Sequence, residues 1–143
     1  MSTIIADCYS NELDNWSELI CFYREQITLL KQRLFQATKS QSMLKDGARI
    51  EKFQILIIQF YDLFYEIENE INHQVSQINR TYIVDDFVLN ESIENRQQII
   101  RYKMFLIEKN YLNLRYILYS YLMKTLKQIT LNRHDTSLNL LRI

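Results

Sequence analysis

The sequence predicts an all-helical protein, an antiparallel up-down-up bundle of three long helices with coiled-coil-like heptad packing over a single domain, residues 1–143. Three observations predict it. Proline is absent and Gly47 is the only glycine, so almost nothing interrupts a helix and little supports the tight turns of a sheet. Apolar residues recur at alternating intervals of three and four in three separate runs, the spacing of a packed helical seam. Two short breaks, 38–47 and 82–91, are each sufficient to reverse the chain into an antiparallel neighbour.

The first helix is expected at about 10–38. Its seam is Leu13, Trp16, Ile20, Tyr23, Ile27, Leu30, Leu34 and Ala37. The second, at about 48–80, carries Ile50, Phe53, Ile57, Phe60, Phe64, Ile67, Ile71, Gln74 and Ile78. The third, at about 91–132, carries Ile93, Gln97, Ile100, Met104, Ile107, Tyr111, Leu114, Leu118, Tyr121 and Thr125. Asn90 or Ser92 can cap it, with Glu91 and Glu94 placed where the helix dipole favours negative charge. Asp135, followed by Thr136 and Ser137, suggests a short terminal turn in which Leu138, Leu140 and Leu141 fold back, which allows a short C-terminal helix.

Turns centred near residues 43 and 86 would align the seams into layers: Trp16 with Ile71 and Ile100, Tyr23 with Phe64 and Ile107, Leu30 with Ile57 and Leu114, Ala37 with Ile50 and Tyr121. In that register Gln74 falls opposite Gln97. The two amides either bond to each other and fix the alignment at some cost in stability, or lie close enough to the bundle end to reach water.

Composition narrows the function. Hydrophobic residues make up 48% of the chain and seventeen charges of each sign cancel, which fits a packed core and argues against non-specific nucleic-acid binding by the whole surface. The acidic start, with Asp7, Glu12 and Asp14, is unlike a signal peptide. The apolar stretch 55–67 is broken by Gln59, Asp62 and Glu66 and falls short of the ~20 residues that a membrane span needs. The expected setting is therefore cytoplasmic, where Cys8 and Cys21, lacking a CxxC or a zinc spacing, read as reduced thiols without a structural role.

The third helix has more apolar surface than three-helix packing requires. Tyr102, Phe105, Leu112, Tyr116, Tyr119 and Met123 form a second line beside its seam, and Ile58, Tyr61 and Tyr65 extend the second helix in the same manner. Tyrosine, methionine and phenylalanine are enriched at the centres of protein interfaces, so this line is read as a partner face, with a homodimer the simplest outcome. The alternative is a wide core partly covered by the C-terminal leucines.

Charge is segregated as well. The start of helix one, the end of helix two and the start of helix three are acidic. Lys39, Lys45, Arg49, Lys52, Lys124, Lys127 and Arg133 gather at the opposite pole, where they form a candidate anion-binding surface unless they serve only for solubility. Arg96, Arg101 and Lys103 lie near the acidic pole, positioned to offset Glu66 and Glu70.

Candidate chemistry is sparse. Glu70-x-x-His73 has the spacing used by di-iron bundles, but those need a second such pair and further inward carboxylates, and His73 is expected to point away from the seam. His134-Asp135 has no nucleophile placed beside it. The pairs Glu66/Glu70 and Glu91/Glu94 read as flanking charges, not a convergent Mg²⁺ site. No catalytic residue, metal site or cofactor is assigned.

The pattern Trp16-x-Glu18-Leu19-x-x-Phe22-Tyr23, then Ile27, Leu30 and Arg33-Leu34, followed by Ile50-Glu51-x-Phe53-Gln54, resembles a group of small uncharacterised helical proteins common in Bacteroidetes. It covers the first two helices. The resemblance implies a bacterial cytosolic setting and carries over no activity and no functional residue. The expectation is thus a non-enzymatic interaction or scaffolding bundle that self-associates or docks a helical partner. The alternatives are binding of an anionic ligand or surface at the basic pole and, third, a metal-dependent enzyme.

Overall fold

In the computed structural model, the backbone is described for residues 2–39, 46–84 and 90–141, and side chains for 4–39, 46–81, 90–125 and 127. The turn centres near 43 and 86 lie outside the described residues. The described chain forms three helices, α1 (Ser2–Thr38), α2 (Gly47–Val84) and α3 (Glu91–Leu141), packed against one another. Cross-helix contacts fix the directions. Tyr23 stacks on Phe64 with ring centroids 5.5 Å apart, and Gln97 reaches Glu12 at 2.8 Å, so α1 and α3 run parallel with α2 antiparallel to both.

The seams are buried as their spacing requires. Leu13, Ile20, Leu34, Phe64, Ile71 and Leu118 are fully excluded from water, and Trp16, Ala37, Phe60 and Ile107 pack against this core while partly exposed. The central layer differs from expectation by one seam step. Tyr111, not Ile107, meets Tyr23 and Phe64, with centroids 5.0 and 5.5 Å away. A tyrosine suits this position because its hydroxyl escapes the core and donates to Gln26 Oε1 at 3.1 Å.

Two helix ends also differ. α1 begins at Ser2 instead of about residue 10, because nothing before Leu13 breaks a helix and Ala6, one heptad earlier, is buried. α3 continues through Asp135 to Leu141 as one helix, so the separate terminal turn does not form. Asp135, Thr136 and Ser137 are poor helix formers but not breakers, at well under about 1 kcal/mol each relative to alanine. Asn90 caps α3, accepting from the Ser92 amide at 2.8 Å.

The glutamine pair is a buried polar layer. Gln74 and Gln97 are both fully excluded from solvent. Gln74 Nε2 donates to Gln97 Oε1 at 3.1 Å and to the Ile93 carbonyl at 2.8 Å, while Gln97 Nε2 donates to Glu12 Oε1 and to the Tyr9 carbonyl. Gln74 Oε1 is left without a partner. A slip of α3 by a heptad step would break all four bonds, and a slip of α1 or α2 two of them, so this layer holds the three helices in register.

Candidate docking face

Side-chain contacts assign each flank of each helix to a neighbour. Glu12 and Gln26 on α1 receive hydrogen bonds from Arg101 and Arg115 on α3. These residues mark the α1/α3 groove. Three residues beyond Glu12, Leu19, Gln26 and Arg33 on α1, about 60° back around the helix, comes the row Asn15, Phe22, Leu29 and Gln36. Four residues beyond Arg101, Glu108 and Arg115 on α3 comes the row Phe105, Leu112 and Tyr119. Both rows point out of the face that α1 and α3 share, away from α2.

The middle of that face is apolar. Phe22 is 52% exposed, Leu29 50% and Phe105 62%, while Leu112 and Tyr119 are half-buried against the core. Tyr102, Tyr116 and Met123 flank the α3 row and are exposed, Tyr116 to 73%. Arg33 crosses from α1 to Tyr119, donating to its hydroxyl at 3.3 Å with the guanidinium 5.7 Å from the ring centre. α1 and α3 are the least closely packed pair of the three, and their seam is the open side of the bundle.

Ile58, Tyr61 and Tyr65 do not continue this line. The Arg24 guanidinium of α1 lies 5.0 Å from the Tyr61 ring centre and 5.9 Å from that of Tyr65, and it donates to Glu68 at 2.6 Å. These tyrosines therefore line the α1/α2 groove, because their side of α2 faces the opposite flank of α1. A cleft of about 460 Å³ beside them is lined by Ile27, Thr28, Lys31, Ile57, Ile58 and Tyr61. The Tyr61 and Thr28 hydroxyls are occupied, the first by Arg24 and the second by the Arg24 carbonyl.

Leu19, Phe22 and Leu29, all exposed, join the α1/α3 face from α1, although they are not among the partner-face residues expected from spacing. The signal was present: they stand beside the α1 seam at intervals of three and seven, as Phe105, Leu112 and Tyr119 stand beside that of α3.

Among the described residues the charges near the acidic end pair differently from the expectation that Arg101 and Lys103 would offset Glu66 and Glu70. Arg101 forms a two-pronged bond to Glu12, both contacts at 2.8 Å, and not to the carboxylates of α2, because its flank faces α1. Lys103 does reach Glu70, at 2.6 Å. Burial pushes the Glu12 carboxyl up, but the hydrogen bonds from Arg101 and Gln97, with the Arg101 charge, outweigh it and the net shift is downward. A carboxyl whose folded pKa is depressed stabilises the fold above its unfolded value, and loses that contribution as pH falls through the folded value. Acid denaturation of the wild-type chain should therefore draw on Glu12 below about pH 4.5, its ordinary value. Glu12→Gln should flatten the stability curve in that range, read by melting temperature against pH. An unchanged slope would count against the Arg101 pairing.

At the basic pole, Lys124 follows Lys103 by three heptads and Arg49 precedes Glu70 by three heptads, so both lie on the α2/α3 flank. Lys52 and Lys127 stand one turn further round, all four exposed. The Arg49 guanidinium lies 5.0 Å from the Tyr121 ring centre, and the Tyr121 hydroxyl donates to Asp46 at 3.1 Å. Lys39 sits apart, 5.0 Å from the Phe35 ring centre. Lys45 and the Arg133 side chain lie outside the described residues, as do the side chains of His134 and Asp135.

Elsewhere, Cys8 and Cys21 are exposed free thiols. Glu70 is engaged by Lys103 and His73 is exposed on α2; among the described residues no group of three or more potential metal ligands converges. Among the described residues, no helix is long and apolar enough to cross a membrane.

The described residues define the class as an all-helical bundle of three long helices, with exposed apolar side chains on the α1/α3 face among others. No family model, curated protein or solved structure matches the chain.

Proposed function

We propose that this protein is a non-enzymatic docking module whose α1/α3 face receives a helical partner. The observation that supports the reading is the double apolar row, exposed Phe22 and Leu29 beside exposed Phe105 and half-buried Leu112 and Tyr119, set along the most open seam of the bundle. A helix laid in that groove would complete a fourth corner and cover side chains that the three-helix core does not need. The face has an apolar centre with Asn15, Gln36 and Gln98 toward its ends, the anatomy of a protein interface.

Tyr116→Asp and Phe105→Asp test it. Both side chains are more than 60% exposed, so each variant should fold with a melting temperature near that of wild type, a surface change worth within about 0.5 kcal/mol. Association should weaken by roughly tenfold or more, as expected for an aromatic anchor replaced by a charge. Association measured by sedimentation that is unchanged in both variants would sink the proposal.

A second reading has its own observation: Arg49, Lys52, Lys124 and Lys127 stand on one flank at the basic pole. This reading is an anion-binding patch, and it predicts salt-sensitive binding of a polyanion such as heparin that Lys124→Glu with Lys127→Glu removes. Equal retention of wild type and variant at every salt concentration would reject it.

A further inference from the structure

The outward row of α3 reads nearly the same in both directions about Leu112. Seven residues before it stands Phe105 and seven after it Tyr119; ten before it is Tyr102 and eleven after it Met123. Charge does not repeat but inverts: Glu108 and Lys109 precede the centre, Arg115 and Tyr116 follow it. The α1 row has the same form, with Phe22 and Leu29 at its middle between Asn15 and Gln36. The two centres coincide, because Gln26, between Phe22 and Leu29, accepts from both Tyr111 and Arg115.

Resting on the docking reading above, we infer that the occupant of the α1/α3 face is a second copy of this chain, packed antiparallel about a two-fold axis crossing α1 near Gln26 and α3 near Leu112. Such an axis lies in the plane of the face and sets α3 against α3 and α1 against α1. Phe105 then meets Tyr119 of the second copy, Leu112 meets its own counterpart, and Tyr102 meets Met123. Glu108 falls beside Arg115 of the second copy and Lys109 over Tyr116, each pairing made twice by the symmetry. On α1, Phe22 meets Leu29.

A parallel two-fold would lay α3 along α1 of the second copy at equal height, inner flank over inner flank. Glu108 and Arg115 would then face Leu19, Gln26 and Arg33 and neither would gain an opposite charge, while the outer Lys109 would come beside Glu18 and Glu25. The antiparallel pairing instead opposes acid and base on α3. Its one like-charge encounter, Glu25 with Glu25, lies at the outer edge of α1, where both carboxylates are exposed and screened. The size is adequate. A strip roughly 40 Å long and two helices wide covers on the order of 800 Å² per copy, the amount buried by each partner in a stable complex.

A charge swap tests the arrangement. Sedimentation equilibrium should show wild type as a dimer, and Glu108→Arg and Arg115→Glu should each dissociate roughly tenfold more readily, since each alone sets like charges together twice. Mixing the two variants should restore dimer, because both interfacial pairs are then opposite in sign. Lys109→Cys mixed with Tyr116→Cys, in a Cys8→Ser/Cys21→Ser background, should cross-link to each other faster than either does to itself, an independent reading if the charge variants fold poorly. A mixture no more dimeric than its components, together with no preference in cross-linking, overturns the antiparallel pairing. A wild-type chain that stays monomeric, with Phe105→Asp still weakening capture of another helical protein, overturns the second copy and leaves the docking reading standing. If Phe105→Asp changes no association of any kind, both fall.

Discussion

Phe64→Ala is expected to lower the stability of the bundle by about 3 to 5 kcal/mol, the range for removing a large aromatic from a packed core. For a chain of this size that is a fall of roughly 10 °C or more in melting temperature. The reason is its position. Phe64 is fully buried between Tyr23 and Tyr111, with ring centroids 5.5 Å from each, so its loss opens a void bordered by all three helices. The layer is also hard to collapse. Tyr111 is anchored at its far end to Gln26, and burial pushes its hydroxyl pKa up to about 12, so the group remains a neutral donor at neutral pH. Phe22→Ala is the matched control. Its ring is half-exposed, and the same chemical change there should cost less than about 1 kcal/mol in stability of the monomer. Equal losses from Phe64→Ala and Phe22→Ala in chemical denaturation would contradict the register of the three seams.

Gln97→Leu is expected to cost about 1 to 3 kcal/mol, and more than Gln74→Leu. Leucine at 97 strips the Gln74 amide of one acceptor in a fully buried site, and takes a donor from both Glu12 and the Tyr9 carbonyl. A buried group left without its partner carries the desolvation penalty of the lost bond. Leucine at 74 removes an amide whose Oε1 already has no partner, so part of its cost is returned. The double variant should therefore be less destabilised than the two singles added together, by about 1 kcal/mol, in a double-mutant cycle read by urea unfolding. Strict additivity would show that the two amides do not act as a unit. Apolar replacement should also loosen the alignment of the helices, visible as broadened amide resonances near Tyr9 and Ile93, because among the described residues no other buried polar contact at that level ties three helices together.

Much of the fold was legible in the spacing of apolar residues, because a seam repeating at three and four leaves a helix one face to bury. Every seam position from Leu13 to Thr125 is buried or packed against the core. What spacing left open was set by contacts between helices. Tyr111 took the place expected of Ile107 because the exact stagger of α2 against α3 depends on how large rings interlock. Arg101 pairs with Glu12 because the handedness of the bundle turns its flank toward α1, and a linear sequence does not state that handedness. The same cause divided the aromatic line. Tyr61 and Tyr65 sit beside Arg24 in one groove, while Phe105 and Tyr119 join Phe22 and Leu29 in another. The helix ends were misplaced for a simpler reason: without glycine or proline at either end, weak helix formers such as Asp135 do not stop a helix already propagating.

The α1/α3 face can be read directly by oxidative footprinting of the wild-type chain across a range of concentrations, or with a captured partner present. The docking proposal predicts that Met123, Tyr116, Tyr102 and Phe105, all more than half exposed in the isolated bundle, become protected as the complex forms, while Tyr65 in the α1/α2 groove reacts throughout and buried Tyr111 at no stage. Protection confined to Tyr65 and its neighbours, or reactivity of Tyr116 and Phe105 that does not change as association proceeds, would contradict it.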